Sequence, residues 1–182
     1  IVVTLDADNS QGPELIPVMV EQIFNGADVV IASRFQNGAA EVGVPWYRLV
    51  LSHGASLTLR ALLGFSGVRD YSCGFRAYRL DTLRALIEAY GDNFVRERGF
   101  ACMLELLINF RRLDAKVAEI PLVLRYDLKG GASKMRIWRT LTRYLVVVGG
   151  ARRALAHKEE SAAARTLRRA SLQPGPCGPA RG

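Results

Sequence analysis

The sequence predicts an α/β fold, and three observations lead to this prediction. Short apolar segments rich in β-branched residues, which are typical of buried strands, alternate with longer segments in which apolar residues recur every three or four positions. Of the 182 residues, 49% are hydrophobic, which is enough for a core. Acidic residues follow the first apolar segment directly, and in α/β folds ligands collect at the carboxyl ends of strands.

The first half of the chain contains two predicted strands and two predicted helices. Pro13 suits the first turn of a helix, because the N–H that it lacks would have no partner there. Gly64 suits a helix end, because glycine readily adopts the left-handed conformation that often closes a helix. The predicted elements are a strand at residues 1–5, a helix from Pro13 to the Asn25-Gly26 pair, a strand at residues 27–32 and a helix at residues 46–63.

The second half is predicted to contain further helices and one strand before its composition changes. Residues 68–78 have no clear period, whereas residues 116–125 alternate as in a strand, in which Pro121 favours an edge or a bulge. Residues 157–182 are rich in Ala, Arg, Gly and Pro and are predicted to be a disordered tail. The predicted helices are one that Asp81 caps and that runs to Tyr90, one at residues 99–112 and a basic amphipathic one at residues 135–156.

The net charge of +8 is concentrated near the carboxyl end of the chain. Residues 1–128 carry 13 basic and 15 acidic side chains, and residues 129–182 carry 12 and 2. The basic segment suggests either nucleic acid or an anionic membrane as a partner. Its two aromatic residues, Trp138 and Tyr144, are few for base stacking, and with nearby aliphatic residues they form an apolar helix face that favours a membrane surface.

Other classes of protein are excluded by simple counts. Three cysteines without a C-x-x-C pair argue against a zinc ribbon and against a disulfide scaffold, so we expect reduced thiols in a cytoplasmic setting. The longest apolar run, residues 144–151, is shorter than the roughly 18 residues that a membrane-spanning helix needs. The chain begins with Ile inside an apolar run, and we expect that preceding residues are missing from it.

Asp6 and Asp8 form the first candidate site. They follow the first predicted strand, and a period of two places both carboxylates on one side. Two hard oxygen ligands suit Mg²⁺ or Mn²⁺ when substrate phosphates complete the coordination shell. A D-x-D sequence alone is equally typical of a solvated turn, but the strand before it and the helix start after it favour the metal site.

Six ordered segments of the chain are specific in combination. They are Val3–Asp8 with Pro13–Pro17, Gly26–Arg34, Trp46 with Arg48 and Ser52, Asp70–Ala77, Gly99-Phe100, and Glu119-Ile120-Pro121 leading to Gly131–Lys134. Over roughly residues 1–145 the chain thereby resembles family 2 glycosyltransferases of the polyprenyl-phosphate (dolichol-phosphate) mannose or glucose synthase type. The resemblance implies a GT-A fold that is incomplete at its N-terminus, with residues 1–134 forming the C-terminal two thirds of a catalytic domain.

The resemblance also implies roles for individual residues. Ser10 stands where the family has a metal-binding glutamine, and Leu128 stands where it has a lid arginine. The implied roles are catalysis for Asp6, Asp8 and Asp70, metal binding for Asp8 and Asp6, binding of the acceptor phosphate for Arg34, Arg48 and Ser52, and donor-phosphate or lid contacts for Arg125, Lys129, Ser133 and Lys134.

These residue types fit the chemistry that the resemblance implies. The second pKa of a phosphate monoester is about 6, so the acceptor oxygen is anionic at neutral pH and needs no strong base. The protein must instead bring two polyanions together and stabilise the leaving diphosphate, which a metal ion and fixed cations can do. A guanidinium binds phosphate through two N–H groups, and Arg48 and Ser52, four residues apart, share a predicted helix face.

We therefore expect a metal-dependent, inverting transfer of mannose or glucose to a polyprenyl phosphate. The donor would be a nucleotide-sugar of the GDP-mannose or UDP-glucose type, and the protein would lie at the cytoplasmic, inner face of the membrane. We expect residues 1–182 alone to have little or no activity. The alternatives are another acceptor, a non-catalytic paralogue in which Ser10 and Leu128 reflect lost activity, and, as the weakest, a nucleic-acid-binding module.

Overall fold

A four-stranded mixed sheet forms the centre of the fold. The computed structural model describes residues 1–97, 99, 101–129 and 142–150. The chain divides into two units, residues 1–148 and 149–182, and the fold below is that of the first. Its strands are β1 (Val2–Thr4), β2 (Val29–Ser33), β3 (Ala40–Val42), β4 (Arg76–Tyr78), β5 (Val117–Pro121) and β6 (Val123–Arg125). Its helices are α1 (Ile16–Phe24), α2 (Trp46–Leu63), α3 (Leu80–Tyr90), α4 (Ala101–Arg112) and α5 (residues 142–150, of which 142–148 belong to this unit).

The strand order in the central sheet is β1-β4-β2-β5. Strand β4 is antiparallel to both β1 and β2, and β2 is parallel to β5. Strands β1 and β2 therefore run in the same direction, and their carboxyl ends lie at the same edge of the sheet. This topology brings the segment after β1 and the segment after β2 to one end of the molecule.

Strand β2 is the most deeply buried element, because all five of its residues are buried. Apolar residues such as Val, Ile and Ala on both of its sides are typical of a strand that is covered on both faces. Met19 and Ile23 of α1 are buried in the same core. The ring of Phe110 in α4 stacks on Tyr78 of β4, with 5.4 Å between ring centroids.

A second sheet pairs β3 with β6 in parallel. Immediately after β3, Gly43 has φ of 74°, and a Cβ atom there would lie 2.8 Å from the backbone nitrogen of Asp127. Glycine is required at this position because any side chain would collide with the turn formed by Tyr126–Leu128. This close approach holds the turn that follows β6 against the end of β3.

Most predicted elements are confirmed, with small shifts of their ends. A 3-10 turn at Pro13–Leu15 precedes α1, and α2 has the predicted bounds with Gly64 in the left-handed conformation. The prediction that Asp81 caps a helix is wrong, because α3 begins one residue earlier and Arg79 occupies the N-cap position. Asp81 lies in the first turn, where a carboxylate still interacts favourably with the helix dipole.

The predicted strand at residues 116–125 is two strands. Its first part, β5, is an edge strand of the central sheet, as Pro121 suggested. At Leu122 the chain turns away: its N–H donates to the carbonyl oxygen of Ser33, and its carbonyl oxygen accepts from the N–H of Ala40. The second part, β6, therefore joins β3, a strand that local sequence did not predict because its partner lies about eighty residues further along the chain.

The predicted basic helix is described only at residues 142–150, and residues 157–182 lie outside the described residues. Two residues of its predicted apolar face, Tyr144 and Val148, are buried, and Leu145 is exposed. Part of the face that we assigned to a membrane thus packs within the protein. In the part of the chain that the structure describes, no helix combines the length and the apolar character needed to cross a bilayer.

Candidate active site

A cavity of about 580 Å³ opens at the edge of the sheet where β1 and β2 end. Its volume is in the usual range for small-molecule sites. Acidic residues of the segment after β1 line one part, and cationic and hydroxyl side chains line another. The residues predicted to act in the site that line the cavity are Asp6, Asp8, Arg34, Arg48, Ser52 and Lys129.

Asp6 and Asp8 lie close enough for their charges to interact, as the period of two predicts. The carboxyl group of Asp6 loses hydration in the cavity floor, and this loss, followed by repulsion from Asp8, raises its pKa. Partial burial also tends to raise the pKa of Asp8, but hydrogen bonds from Lys129 and Ser10 outweigh this effect, and the pKa of Asp8 is lowered. At neutral pH the pair is therefore a concentrated negative charge.

Ser10 and Gln11 hold these two carboxylates in place. The hydroxyl and the backbone N–H of Ser10 donate to Oδ1 of Asp8, at 2.5 and 3.1 Å. The amide of Gln11 donates to Oδ2 of Asp6 at 3.0 Å, and its carbonyl oxygen accepts from the backbone N–H of Asp6. Ser10 thus orients Asp8, and Gln11 orients Asp6.

Lys129 is the cation at the acidic part of the cavity. Its Nζ lies 2.5 Å from Oδ2 of Asp8 and 5.4 Å from the centre of the Tyr126 ring. The backbone just before it is anchored, because the N–H of Arg125 donates to the carbonyl oxygen of Ser10 at 2.8 Å. The turn after β6 is thereby tied directly to the acidic segment after β1.

Arg34 and Asp70 form the most buried ion pair of the site. Nε and Nη2 of Arg34 donate to Oδ2 and Oδ1 of Asp70, at 2.8 and 2.9 Å. Asp70 is fully buried, and although burial opposes its ionisation, the charge and hydrogen bonds of Arg34 lower its pKa. The remaining bonds of Arg34 go to Ser52 and Ser72, at 3.2 and 2.7 Å. Asp70 therefore lies behind Arg34 and fixes its guanidinium at the cavity wall.

Glu119 in β5 supports the backbone that carries Asp70. Its Oε1 accepts the N–H groups of both Arg69 and Asp70 at 2.7 Å. Burial raises the pKa of Glu119 above its ordinary value. Glu119 lies in a segment that resembles the family, but no role was predicted for it. A carboxylate in an otherwise apolar strand was the available signal, because a buried acid needs partners of this kind.

Helix α2 contributes Arg48 and Ser52 to the cavity. They lie four residues apart and face the same side, as predicted. The guanidinium of Arg48 lies 5.9 Å from the centre of the Tyr126 ring, and the hydroxyl of Ser52 accepts from Arg34. Two arginines and a serine hydroxyl from separate elements thus converge on one wall.

Arg125, one of the residues predicted for the lid, does not line the cavity. Arg125 is paired instead with Asp127, through Nη2 and Oδ2 at 2.7 Å, on the exposed surface. Its neighbour Asp127 follows two positions later, so this pairing is local. Ser133 and Lys134 lie outside the described residues.

Sequence analysis missed Glu41, Cys73 and Tyr144, all of which line the cavity. Glu41 lies in β3, with Oε2 3.7 Å from Nε2 of His53, and burial raises its pKa. Burial also raises the pKa of Cys73 and of Tyr144 to about 12, so neither is ionised at neutral pH. No local pattern marks these residues, because each reaches the cavity only through long-range packing.

The donor atoms at Asp6 and Asp8 fit a divalent cation whose coordination is completed by substrate. Among residues 1–97, 99, 101–129 and 142–150, no group of three or more His, Cys, Asp and Glu side chains is placed to hold a metal ion. Two neighbouring carboxylates that already attract an ammonium group are nevertheless a suitable pair of hard ligands. A diphosphate would have to supply the further oxygen atoms.

Comparison with known proteins identifies relatives of the chain. No protein-family model matches the chain. The chain is 34% identical over 136 residues to the undecaprenyl-phosphate mannosyltransferase of Micrococcus luteus, which covers 74% of this chain and 53% of that protein. It is 33% identical over 135 residues to the polyprenol monophosphomannose synthase of Mycolicibacterium smegmatis, with 74% and 49% covered.

A third relative is archaeal. The chain is 33% identical over 146 residues to the dolichol-phosphate mannosyltransferase of Pyrococcus furiosus, and this match covers 80% of the chain and 38% of that protein. The chain spans about half the length of the first two relatives that it matches. Three proteins with closely related names each match between 74% and 80% of the sequence. The chain is thus a homologue of polyprenyl-phosphate mannosyltransferases and belongs with them in one family of glycosyltransferases.

Proposed function

We propose that the protein containing this chain transfers a hexose from a nucleotide-sugar to a polyprenyl phosphate. The observation that carries the proposal is the division of one cavity into an acidic part, Asp6 and Asp8, and a cationic part, Arg34 and Arg48. A nucleotide-sugar with a divalent cation suits the first, and a phosphate monoester suits the second. The mixed sheet with ligand-binding segments at its carboxyl edge is consistent with a GT-A fold.

The acidic part would bind the donor diphosphate together with Mg²⁺ or Mn²⁺. Asp8 and Asp6 would hold the ion, with Ser10 and Gln11 keeping their carboxylates in position. A bound divalent cation would supply positive charge that stabilises the leaving diphosphate. Lys129, which already reaches this part of the cavity, would add a second positive charge beside it.

The cationic part would bind the acceptor phosphate. Arg34 is held by Asp70 and uses four N–H groups in hydrogen bonds to Asp70, Ser52 and Ser72. A guanidinium has five N–H donors, so one Nη1 proton remains for a ligand. Arg48 lines the same cavity and would add a second guanidinium for the phosphate.

The reaction would be a direct displacement at the anomeric carbon. An oxygen of the acceptor phosphate forms the new bond to C1 while the bond from C1 to the donor diphosphate breaks, and the diphosphate leaves with the electron pair. Attack opposite to the leaving group inverts the configuration. The dianionic acceptor has no proton to lose, so the residues at the cationic part need only bind and orient it.

Helix α2 supports a lipid acceptor. Trp46, Val50 and Leu57 share one face of the helix and are 75%, 62% and 67% exposed. This face is opposite to the one that presents Arg48 to the cavity, and Leu51 lies between them, both exposed and lining the cavity. A lipid whose phosphate lies at Arg48 would place its chain near this apolar face. We therefore place α2 at a membrane surface, at the cytoplasmic face where nucleotide-sugars are available.

Mannose is the sugar that we favour, because the three relatives described above are named for mannose transfer. Transfer from a GDP-mannose type donor is therefore proposed ahead of a UDP-glucose type donor. The test is a transfer assay with the intact protein that contains this chain, with each donor, Mn²⁺, and either undecaprenyl phosphate or free mannose as acceptor. We expect a lipid-linked product with undecaprenyl phosphate alone.

Two results would contradict the proposal. Transfer to free mannose without transfer to undecaprenyl phosphate would mean that the family relationship does not extend to the acceptor. No transfer with either acceptor, together with no increase in donor binding on addition of Mn²⁺, would indicate a non-catalytic paralogue.

A further inference from the structure

Lys129 occupies the position at which a cation would bind Asp8. The two side chains are partly exposed, at 21% and 27%, and the ammonium group lies 2.5 Å from Oδ2. Its charge also acts on Asp6, whose pKa it lowers against the larger effects of burial and of Asp8. The ammonium group is thus paired with Asp8 and offsets part of the negative charge of the two carboxylates that would hold a metal ion.

Oδ2 is the oxygen of Asp8 that Lys129 contacts. Ser10 donates two hydrogen bonds to Oδ1 of Asp8. Oδ2 is therefore the oxygen for which Lys129 and a metal ion would compete. An ammonium group and a divalent cation repel each other at such short range, and the lower dielectric of a partly buried site strengthens this repulsion. The two cations therefore cannot bind Oδ2 of Asp8 at the same time.

The movement required of Lys129 is small. The backbone before it is fixed by the hydrogen bond from Arg125 to Ser10 and by the contact of Asp127 with Gly43. The side chain itself has a flexible four-carbon stem and packs beside the ring of Tyr126. The ammonium group can therefore leave Asp8 by rotation of the side chain while the turn stays in place.

We propose that Lys129 is an exchangeable cation of the donor site, which neutralises Asp8 when the donor is absent and binds the donor diphosphate when a divalent cation takes its place. This inference rests on the proposed metal site at Asp6 and Asp8. It gives the ion pair two opposite effects: Lys129 weakens the binding of a metal ion alone and strengthens the binding of the metal together with a diphosphate.

The test measures binding of Mn²⁺ to the intact protein by electron paramagnetic resonance and calorimetry, first alone and then with GDP or, in parallel, UDP. For Lys129→Gln we expect Mn²⁺ alone to bind about three- to fivefold more tightly, the range that corresponds to a partly exposed ion pair. With Mn²⁺ saturating, we expect the nucleoside diphosphate to bind roughly tenfold more weakly, because a charge-assisted hydrogen bond is lost. Lys129→Arg should retain both properties.

Lys116→Gln is the matched control, since Lys116 is an exposed lysine near the amino end of β5 and should change neither affinity. Equal or weaker binding of Mn²⁺ alone by Lys129→Gln would overturn the exchange and leave the metal site intact. If the unmodified protein bound no Mn²⁺ even with nucleotide, the proposed metal site would be wrong, and the exchange with it.

Discussion

Carboxyl groups around the cavity have pKa values shifted in both directions, and the direction follows the partner of each group. Asp70 and Asp8 have direct cationic partners, and their pKa values are lowered. Asp6 and Glu41 lose hydration and lack a partner of equal strength, so their pKa values are raised. The residues that fix cations are thus ionised well into the acidic range, and the cavity retains its charge pattern at neutral pH.

The buried pair of Asp70 and Arg34 gives a prediction for stability. Replacing Asp70 with Asn leaves a guanidinium that is mostly buried without its counter-charge, and this should lower the free energy of unfolding by about 3–5 kcal/mol. Urea denaturation at pH 7 measures the change. The matched control is Asp127→Asn, which breaks the exposed pair with Arg125 and should leave the midpoint unchanged.

The stabilising effect of Asp70 should also depend on pH. Because the pKa of Asp70 is lowered from its ordinary value of 3.8, its stabilising contribution is complete above that value and is lost as the pH falls through the lower pKa of the folded state. The difference in unfolding free energy between the unmodified protein and Asp70→Asn should be constant at neutral pH and shrink below about pH 4. A difference that grew on acidification would contradict the assignment.

Gly74 gives a prediction for the geometry of the acidic part. A Cβ atom at this position would lie 3.3 Å from Oδ1 of Asp6, so Gly74→Ala should displace that carboxylate. We expect weaker binding of Mn²⁺ in calorimetry, with an unchanged KM for the acceptor. Gly54→Ala is the control, because a Cβ atom there has open space, and in a helix it should stabilise by about 0.5–1 kcal/mol. An unchanged affinity for Mn²⁺ in Gly74→Ala would argue against Asp6 as a ligand.

At the level of whole elements, helix α2 joins the cavity to the exposed apolar face. Its bounds could be predicted because Trp46 begins a run of helical spacing and Gly64 ends it in the left-handed conformation. The face of α2 that is buried could not be predicted, because both faces contain apolar residues and only tertiary contacts distinguish them. The structure turns the face with Arg48 toward the cavity and leaves Val50 and Leu57 exposed.

The exposed face of α2 gives a prediction for the proposed contact with lipid. Val50→Glu combined with Leu57→Glu should weaken binding to vesicles of anionic phospholipid severalfold, because burial of apolar side chains at the interface is replaced by charges that the membrane repels. Cosedimentation with vesicles measures this effect. Phe24→Glu is the control, since Phe24 is 77% exposed but lies on α1. If the Phe24→Glu variant lost as much vesicle binding as the variant of α2, the loss would come from removing any exposed apolar side chain and would not identify α2 as the membrane-binding helix.

The short strands show where prediction from local sequence ends. Strand β2 and helix α1 carry their signals within one segment, and both were predicted. Strands β3 and β6, with three residues each, exist because distant segments meet, and no local pattern marks that pairing. The same reason explains the site. Asp6 and Asp8 could be found from a strand end, and Arg48 and Ser52 from the resemblance to the family, with helix spacing placing them on one face. Glu41, Glu119 and Tyr144 depend on packing between elements.

On the scale of the whole molecule, one cavity brings together charges of both signs. The acidic pair and the arginine pair face the same space, and the net positive charge of the chain lies after Leu128. Lys129 is the first residue of that basic segment, and its ammonium group contacts Asp8 of the acidic pair. This arrangement is suited to holding two phosphate-bearing substrates next to each other, as the proposed transfer requires.

The measurement that tests this account most directly is sugar transfer to undecaprenyl phosphate by the intact protein with Asp8 replaced by Asn, at saturating Mn²⁺. The account predicts a loss of kcat of about 100-fold or more, because the leaving diphosphate loses the charge that Asp8 would hold beside it. Asp127→Asn, which removes an exposed acid outside the cavity wall, should retain the rate of the unmodified protein. Transfer by Asp8→Asn at the unmodified rate would contradict the account.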